Sequence, residues 1–393
     1  MELIVMDTNF TPIHVVDSYE SFIWKERYCG CGDFELYTSV TEELLKYIRK
    51  DYYISIRESD YTMIVESITI KSDPEEGNHI QVTGRTLESI LDRRIIWGTQ
   101  MYRGSFKHRI CTILTDAIVE PKAFVSGNGD TMDLKDRKID NFVIDDKDIP
   151  DIEGSDEDTQ YTGDSLYDVV VSMCTKYKLG FRILLNDNDQ FVFSVYEGKD
   201  RSYEQDIVQP VVFSPSFDNF SNGNYIESVA DVRNVALIAG KDTQSVLEGI
   251  IDNITGEEIP NPNSRIHAVA DANPDTPSSG LSRREIYVDA QQAPSESDDG
   301  TKLNDDEYVN MLKEKGSEEL QKHSEISSFE GEAENTEQYT YGVDFFKGDV
   351  VSISDEYGHQ ATARITEMVI SDGTGGLTMY PTFETIKEEG EDA

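Results

Sequence analysis

An α+β fold that is mainly β follows from three features of the sequence. Closely spaced β-prone runs crowd both ends, a helix-plus-hairpin unit lies between them, and long helical periods are few. The 393 residues are enough for two or three domains at roughly 150 residues each. Hydrophobic residues make up 37% of the chain, and 20 Tyr with 16 Phe supply the core material that disordered chains lack. Acids outnumber bases 77 to 35, for a formal charge of −42. Clustered Lys and Arg are what grip nucleic acid regardless of sequence, or an anionic membrane, so this balance argues against both.

The first hundred residues divide into short strands. Leu3 to Met6 and Ile13 to Val16 flank the turn cluster Thr8-Asn9-Phe10-Thr11-Pro12. Ser21 to Tyr28 alternates, with Phe22, Trp24, Glu26 and Tyr28 on one side of the pleat and Ile23, Lys25 and Arg27 on the other. Gly30-Cys31-Gly32-Asp33 turns the chain into Phe34 to Tyr37, a short helix is expected over Glu42 to Lys50, and strands follow at Tyr53 to Ile56, Met63 to Ile70 and His79 to Thr83. Such spacing suggests a small antiparallel barrel or sandwich.

Helices come next. Thr86 is the expected N-cap of a segment with apolar residues at Leu87, Ile90, Leu91 and Ile95, and Ser105 that of one carrying Phe106, Ile110, Ile113, Leu114 and Ala117. Val143 to Asp158 is dense in Asp and Glu, with Pro150 and Gly154, and is expected to be an exposed loop or a subdomain edge. Asp164 is expected to cap a third helix with Leu166, Val169, Val170, Met173 and Tyr177 buried. A hairpin, Phe181 to Leu185 with Phe191 to Tyr196, turns at Asn186-Asp187-Asn188-Asp189. Beyond Val211 the chain returns to β character. Residues 241–280 lose periodicity and are expected to form a polar, partly mobile excursion away from a core. A helix over 305–322 starts at Asn304 with Glu307 three residues on, a capping-box variant, and strands finish the chain.

The last block echoes the first. Val350-Val351-Ser352-Ile353 and Ala363 to Ile370 can be laid on Tyr53-Ile54-Ser55-Ile56 and Met63 to Ile70, followed in each case by a glycine-bearing turn and a further strand, Leu377 to Pro381 against His79 to Gly84. Two readings stay open: chance likeness of two β-meanders, or a duplicated β-module.

Reactive chemistry is sparse. No His-Glu-x-x-His, Gly-x-Ser-x-Gly or phosphate-cradling Gly-rich loop ending in Lys-Ser or Lys-Thr is present. Gly163-Asp164-Ser165 sits where a helix cap is needed, and Asn186 to Asp189 lacks the glycine and closing glutamate of a calcium loop. Cys29, Cys31, Cys111 and Cys174 have no matching pair at zinc-site spacing and are expected to be reduced thiols; pairing Cys29 or Cys174 with one of the six His in a thiol-protease site is the weaker alternative. The opening Met1-Glu2-Leu3-Ile4-Val5-Met6-Asp7 has no basic n-region, and no run approaches the ~20 apolar residues of a membrane span. No catalytic, cofactor-binding or metal residue is assigned, and no cofactor is expected.

Several segments carry a resemblance. Ser18 to Tyr28 leading to Gly32-Asp33-Phe34-Glu35-Leu36, and Gly84-Arg85-Thr86-Leu87-Glu88-Ser89-Ile90-Leu91-Asp92-Arg93-Arg94, resemble the ReqiPepy-type siphovirus tail proteins of phages and prophages. The similarity continues through Tyr161 to Tyr167, Ser282-Arg283-Arg284-Glu285 and Tyr341-Gly342-x-Asp344-Phe345-Phe346-x-Gly348-Asp349, leaving out only 241–280.

The resemblance implies a non-enzymatic virion protein in the tail, laid out like the baseplate hubs of contractile phages. Its fold would be two β-barrel-like tube domains, one over 1–97 completed by strands within 205–228, the other over 229–393. A helix-plus-hairpin subdomain would occupy 98–204. The expected partners are two further copies, a distal tail or tail-tube protein, a tip spike or fibre and a tape measure protein. DNA would pass through without specific binding, and a carboxylate-lined wall would keep it from sticking. No membrane insertion is expected, and assembly would take place in the host bacterial cytoplasm. The absence of a catalytic signature, and of a further domain after Ala393, weighs against the alternative of a tail-associated peptidase or cell-wall hydrolase. Strand alternation accounts for the tyrosines better than the other alternative, a receptor- or glycan-binding tip protein.

Overall fold

The structure, a computed structural model, describes residues 1–386 apart from 74–76, 148, 243–249, 252–257, 260–264, 292, 294–302, 325, 333–338, 355–356 and 358–359. The first block holds β1 (Leu3–Met6), β2 (Pro12–Val16), β3 (Ser21–Arg27), β4 (Asp33–Ser39), α1 (Glu42–Tyr47), β5 (Tyr53–Ile56), β6 (Thr62–Asp73) and β7 (Gly77–Thr86). The central stretch adds α2 (Ser89–Asp92), β8 (Thr99–Gly104), α3 (Phe106–Leu114), β9 (Phe142–Ile144), β10 (Glu157–Thr162), α4 (Leu166–Lys176), β11 (Gly180–Leu185) and β12 (Phe191–Tyr196). The remainder holds β13 (Ser221–Ser228), β14 (Val235–Asp242), β15 (Arg265–Asp271), β16 (Glu285–Asp289), α5 (Asp305–Lys322), β17 (Ile326–Glu332), β18 (Val350–Ser354), β19 (Gln360–Gly373) and β20 (Thr378–Thr385).

Both ends of the chain build one large sheet, in the order β13-β17-β20-β19-β3-β4-β7-β6-β5-β1-β2, with β18 alongside β19. Its two ends are not paired to each other, so among the described residues the sheet runs open and does not close into the expected barrels. Alternation decides its faces. Phe22, Trp24, Phe34, Leu36, Ile80 and Val82 are buried on one side, where they pack with Leu3, Ile54 and α1's Leu44. Under the other end of the sheet Phe213, Phe220, Phe345, Val351, Ile353 and Phe383 form a second core. Each such side chain contributes about 1.5–3 kcal/mol by leaving water.

The central unit has the largest core, with α3 and α4 packed on the β11–β12 hairpin. Farther along the chain, α5 lays Tyr308, Leu312 and Leu320 on a small sheet of β15, β14 and β16. Ser105 caps α3 as expected, and Asn304 with Glu307 completes a capping box on α5.

Several expectations give way to tertiary pairing. Thr86 ends β7 and its hydroxyl accepts the Gly32 N–H at 2.9 Å, so the helix expected after it shrinks to the single turn α2. Ser165, not Asp164, caps α4, while the Asp164 carboxylate takes the Thr162 N–H at 2.7 Å. Of the two readings of 143–158 the exposed loop gives way to the subdomain edge: Val143 and Ile144 lie in β9, the edge strand parallel to β12, and Ile149 and Ser155 are buried. Within 241–280, Arg265–Asp271 is β15, antiparallel to β14, with Ala268 and Ala270 buried; 243–249, 252–257 and 260–264 lie outside the described residues. The strands between 205 and 228, expected beside the first block, instead join the last: Val212–Phe213 pairs with β18 and β13 pairs with β17. Alternation says which side of a strand is buried but not which neighbour it pairs with.

Candidate assembly site: a repeated sheet and its junction

The echo between the two blocks holds strand by strand. In the first, β5 runs against the start of β6 with Tyr53 opposite Ile64 and Ser55 opposite Thr62. In the last, β18 runs against the start of β19 with Val350 opposite Arg364 and Ser352 opposite Thr362. Both long strands then carry a bulge at the same aligned position. Val65 faces Gly84 and Ser67 faces Thr83, leaving Glu66 as the extra residue; Ile365 faces Phe383 and Glu367 faces Thr382, leaving Thr366. A bulge kinks and twists its strand, so sharing its place gives the two meanders the same bend. The order continues outward alike. Gly84 lies opposite Phe34 and Phe34 opposite Trp24, while Phe383 lies opposite Phe329 and Phe329 opposite Tyr225. The unit β3-β4-β7-β6 with β5 thus recurs as β13-β17-β20-β19 with β18.

The two units join where the far half of β19 pairs with β3, Glu367 opposite Arg27 through Gly373 opposite Ser21. On the polar face of this seam Arg27 reaches both Asp33, at 2.6 Å, and Glu367, at 2.7 Å. Nearby, Arg85 holds Glu66, the bulge residue, with two hydrogen bonds of 2.9 Å. With Lys25 and Glu35 on the same side of the alternation, that face carries both signs of charge rather than a wall of carboxylates.

Glu26 interrupts the apolar stripe of β3 and is 2% exposed. Its carboxylate accepts the Trp24 indole N–H at 3.2 Å, the Tyr341 hydroxyl at 3.0 Å and the Ser59 hydroxyl. Lys347, in the turn before β18, places its ammonium 3.7 Å from Glu26 and donates to the Tyr61 hydroxyl at 2.7 Å. Burial pulls the Lys347 pKa down to about 8, with Glu26 and Glu88 opposing. The cluster therefore ties the last block to the first through a buried ion pair.

Tyr28, at the end of β3, binds three parts of the chain. Its hydroxyl lies 3.1 Å from the Lys178 carbonyl and accepts the Gly198 N–H at 3.3 Å, while the Arg364 guanidinium stacks over its ring at 5.3 Å. Gly348 has φ +95° and touches the same ring so closely that a Cβ would sit 2.3 Å from it. Only glycine meets both demands there. Of the segments that carry the resemblance, Trp24 to Leu36, Gly84 to Glu88 and Tyr341 to Asp349 converge on this junction. Arg283 and Glu285 do not; they pair with each other on the small sheet beside α5. Sequence reasoning missed Glu26 as a joining residue, although an acid on the apolar side of an alternating strand was the available signal.

The reactive candidates lie apart from the junction's chemistry. Cys29 contacts the Val171 carbonyl and the Thr175 hydroxyl, and burial pushes its thiol up to about 11. Cys174 is fully buried and its thiol is pushed well above the usual range. A thiolate nucleophile needs the opposite shift. Among the described histidines, His14 stacks on Tyr47 and His79 on Tyr37. Asn186 to Asp189 forms the hairpin turn, closed by hydrogen bonds from Asn186 to Gln190 and from Asp189 to Asn186. Among the described residues no group of three or more His, Cys, Asp or Glu is placed to hold a metal, and no helix is long and apolar enough to cross a membrane.

Known proteins give this architecture a context. The tail protein from Neisseria meningitidis MC58 superposes with a TM-score of 0.53 at 11% identity, covering 99% of this chain and 98% of the other. The 43 kDa tail protein of prophage MuSo2 from Shewanella oneidensis does so at 0.55 and 10% identity, with 98% of each chain covered. Likeness at such low identity speaks to fold alone. No curated protein matches by sequence. A family model described as Siphovirus ReqiPepy6 Gp37-like protein matches residues 2–383, and on that extent the chain belongs to this family of siphovirus tail proteins, a structural component of the phage tail.

Proposed function

We propose that this tail protein is a hub: three copies form a ring at the distal end of the tail that joins the tube to the tip and lets DNA pass. One observation carries the reading, the recurrence of the same five strands in the same order and register within one chain. Three copies of a chain with two equivalent units present six similar walls, which suits a sixfold tube above and a threefold spike or fibre below. The two units serve as tube domains, one over 1–97 and one built from strands between 205 and 385, with the 98–204 subdomain on the outside.

The role is structural and not enzymatic. The partners are two further copies, a distal tail or tail-tube protein, a tip spike or fibre and a tape measure protein. Charges of both signs on the polar face of the sheet give passing DNA no uniform surface to grip. Assembly takes place in the host bacterial cytoplasm. Quantitative mass spectrometry of purified tails tests the reading. Three copies per tail are expected; one copy, or six, contradicts it.

A further inference from the structure

The two meanders differ in one respect that points to a contact between copies. Each long strand is shared along its length. The first half of β19 pairs with its own short strand β18, and its second half pairs with β3 of the other unit. The first half of β6 likewise pairs with its own short strand β5, but beyond the bulge, over Ser67 to Ser72, no described strand lies on the side away from β7. Burial records the difference: Ile370, opposite Trp24, is fully buried, whereas its counterpart Ile70 is 51% exposed.

At the far end of the sheet the strand that corresponds to β3 is β13. It is the outermost strand, with β17 on one side, and shows Ile226 at 37% exposure. One chain therefore holds both halves of a junction it makes once internally. We infer that β13 of a second copy of this chain docks antiparallel on the open half of β6, repeating the β19–β3 seam between copies. Carrying the internal register across sets Ser67 opposite Ser228, Thr69 opposite Ile226 and Ile70 opposite Tyr225.

The occupant is a second copy because the two open edges are counterparts of strands that already pair with each other. Such a head-to-tail contact uses different surfaces on the two partners, so it closes only as a ring. Strand addition also supplies the backbone hydrogen bonds that an open edge lacks. The inference rests on the ring reading above and adds to it the strands and their register.

Cysteine cross-linking in assembled tails tests it. One chain carries Thr69→Cys and a co-expressed chain carries Ile226→Cys; a second set uses Ile70→Cys with Tyr225→Cys. Adjacent antiparallel pairs alternate between hydrogen-bonded and closer, non-hydrogen-bonded geometry, so one of the two sets suits a disulfide. Covalent dimers are expected only when both partners are present, and not from Thr69→Cys with Ser228→Cys, which is out of register. In parallel, Ile70→Arg is expected to leave the monomer folded and to abolish trimers. Trimers that form without either cross-link, or that survive Ile70→Arg, overturn the junction and leave the ring standing. Tails that hold a single copy overturn the ring and the junction together.

Discussion

The first and last meanders share a backbone plan and almost nothing in their filling. At the position after the bulge partner, the first unit has Gly84 and the last has Phe383. A Cβ at Gly84 would lie 1.8 Å from the Ile64 carbonyl and 2.6 Å from the Phe34 ring, so the large residue there is Phe34 and glycine makes room for it. Phe383 is itself fully buried, packed against Phe213 and Phe220 with ring centroids 5.2 and 6.0 Å away. Strand order, register and bulge position agree while the side chains differ, because many apolar fillings satisfy one alternating pattern.

Removing the charge that joins the two units is the harshest way to break the comparison. Lys347→Met leaves Glu26 buried without a counter-charge and is expected to cost about 3–5 kcal/mol in chemical denaturation. Truncating the matched isoleucines separates them more finely. Ile370→Ala removes a fully buried side chain and should cost about 2–5 kcal/mol, while Ile70→Ala in the isolated monomer should stay within about 0.5 kcal/mol. Equal losses would mean that the far half of β6 is already covered within one copy.

A pH series sharpens the role of the buried pair. Lys347 releases its proton at about 8 in the folded chain, below its ordinary value of 10.5. Between these values the unfolded chain binds more protons, so this group makes stability rise with pH from about 8 to about 10. The buried thiols of Cys29, Cys31 and Cys174, and at higher pH the Tyr61 and Tyr341 phenols, are all pushed up by burial and act in the opposite direction, because the unfolded chain ionises first. Urea titrations at pH 7, 8 and 9.5 should show the native chain gaining stability relative to Lys347→Met as the pH rises, because every other titrating group is common to the two chains. The smallest effect belongs to a helix outside both meanders: Asn304→Ala removes the α5 capping box and should cost about 1 kcal/mol.

What the sequence reveals is local. The alternation of β3, the caps Ser105 and Asn304, the β11–β12 hairpin and the alignment of Met63 to Ile70 with Ala363 to Ile370 are all written in neighbouring residues. The bulges at Glu66 and Thr366 fall at matching positions in that alignment, although nothing in either residue type announces a bulge. The pairing of β3 with β19 joins residues far apart in the chain and carries no local mark, and the same is true of the pairing that places the strands between 205 and 228 beside the last block. Buried alanines explain the other misreading: β15 carries Ala268 and Ala270 inward, and so small an apolar face resembles a loop.

Cryo-electron microscopy of the intact tail tip tests the equivalence of the two meanders most directly. The prediction is a threefold ring in which six like β-meanders follow one another, with the seam between copies superposing on the β19–β3 seam within a copy. A tip in which only one meander of each chain lines the ring, or in which the chain does not encircle a passage, would contradict it.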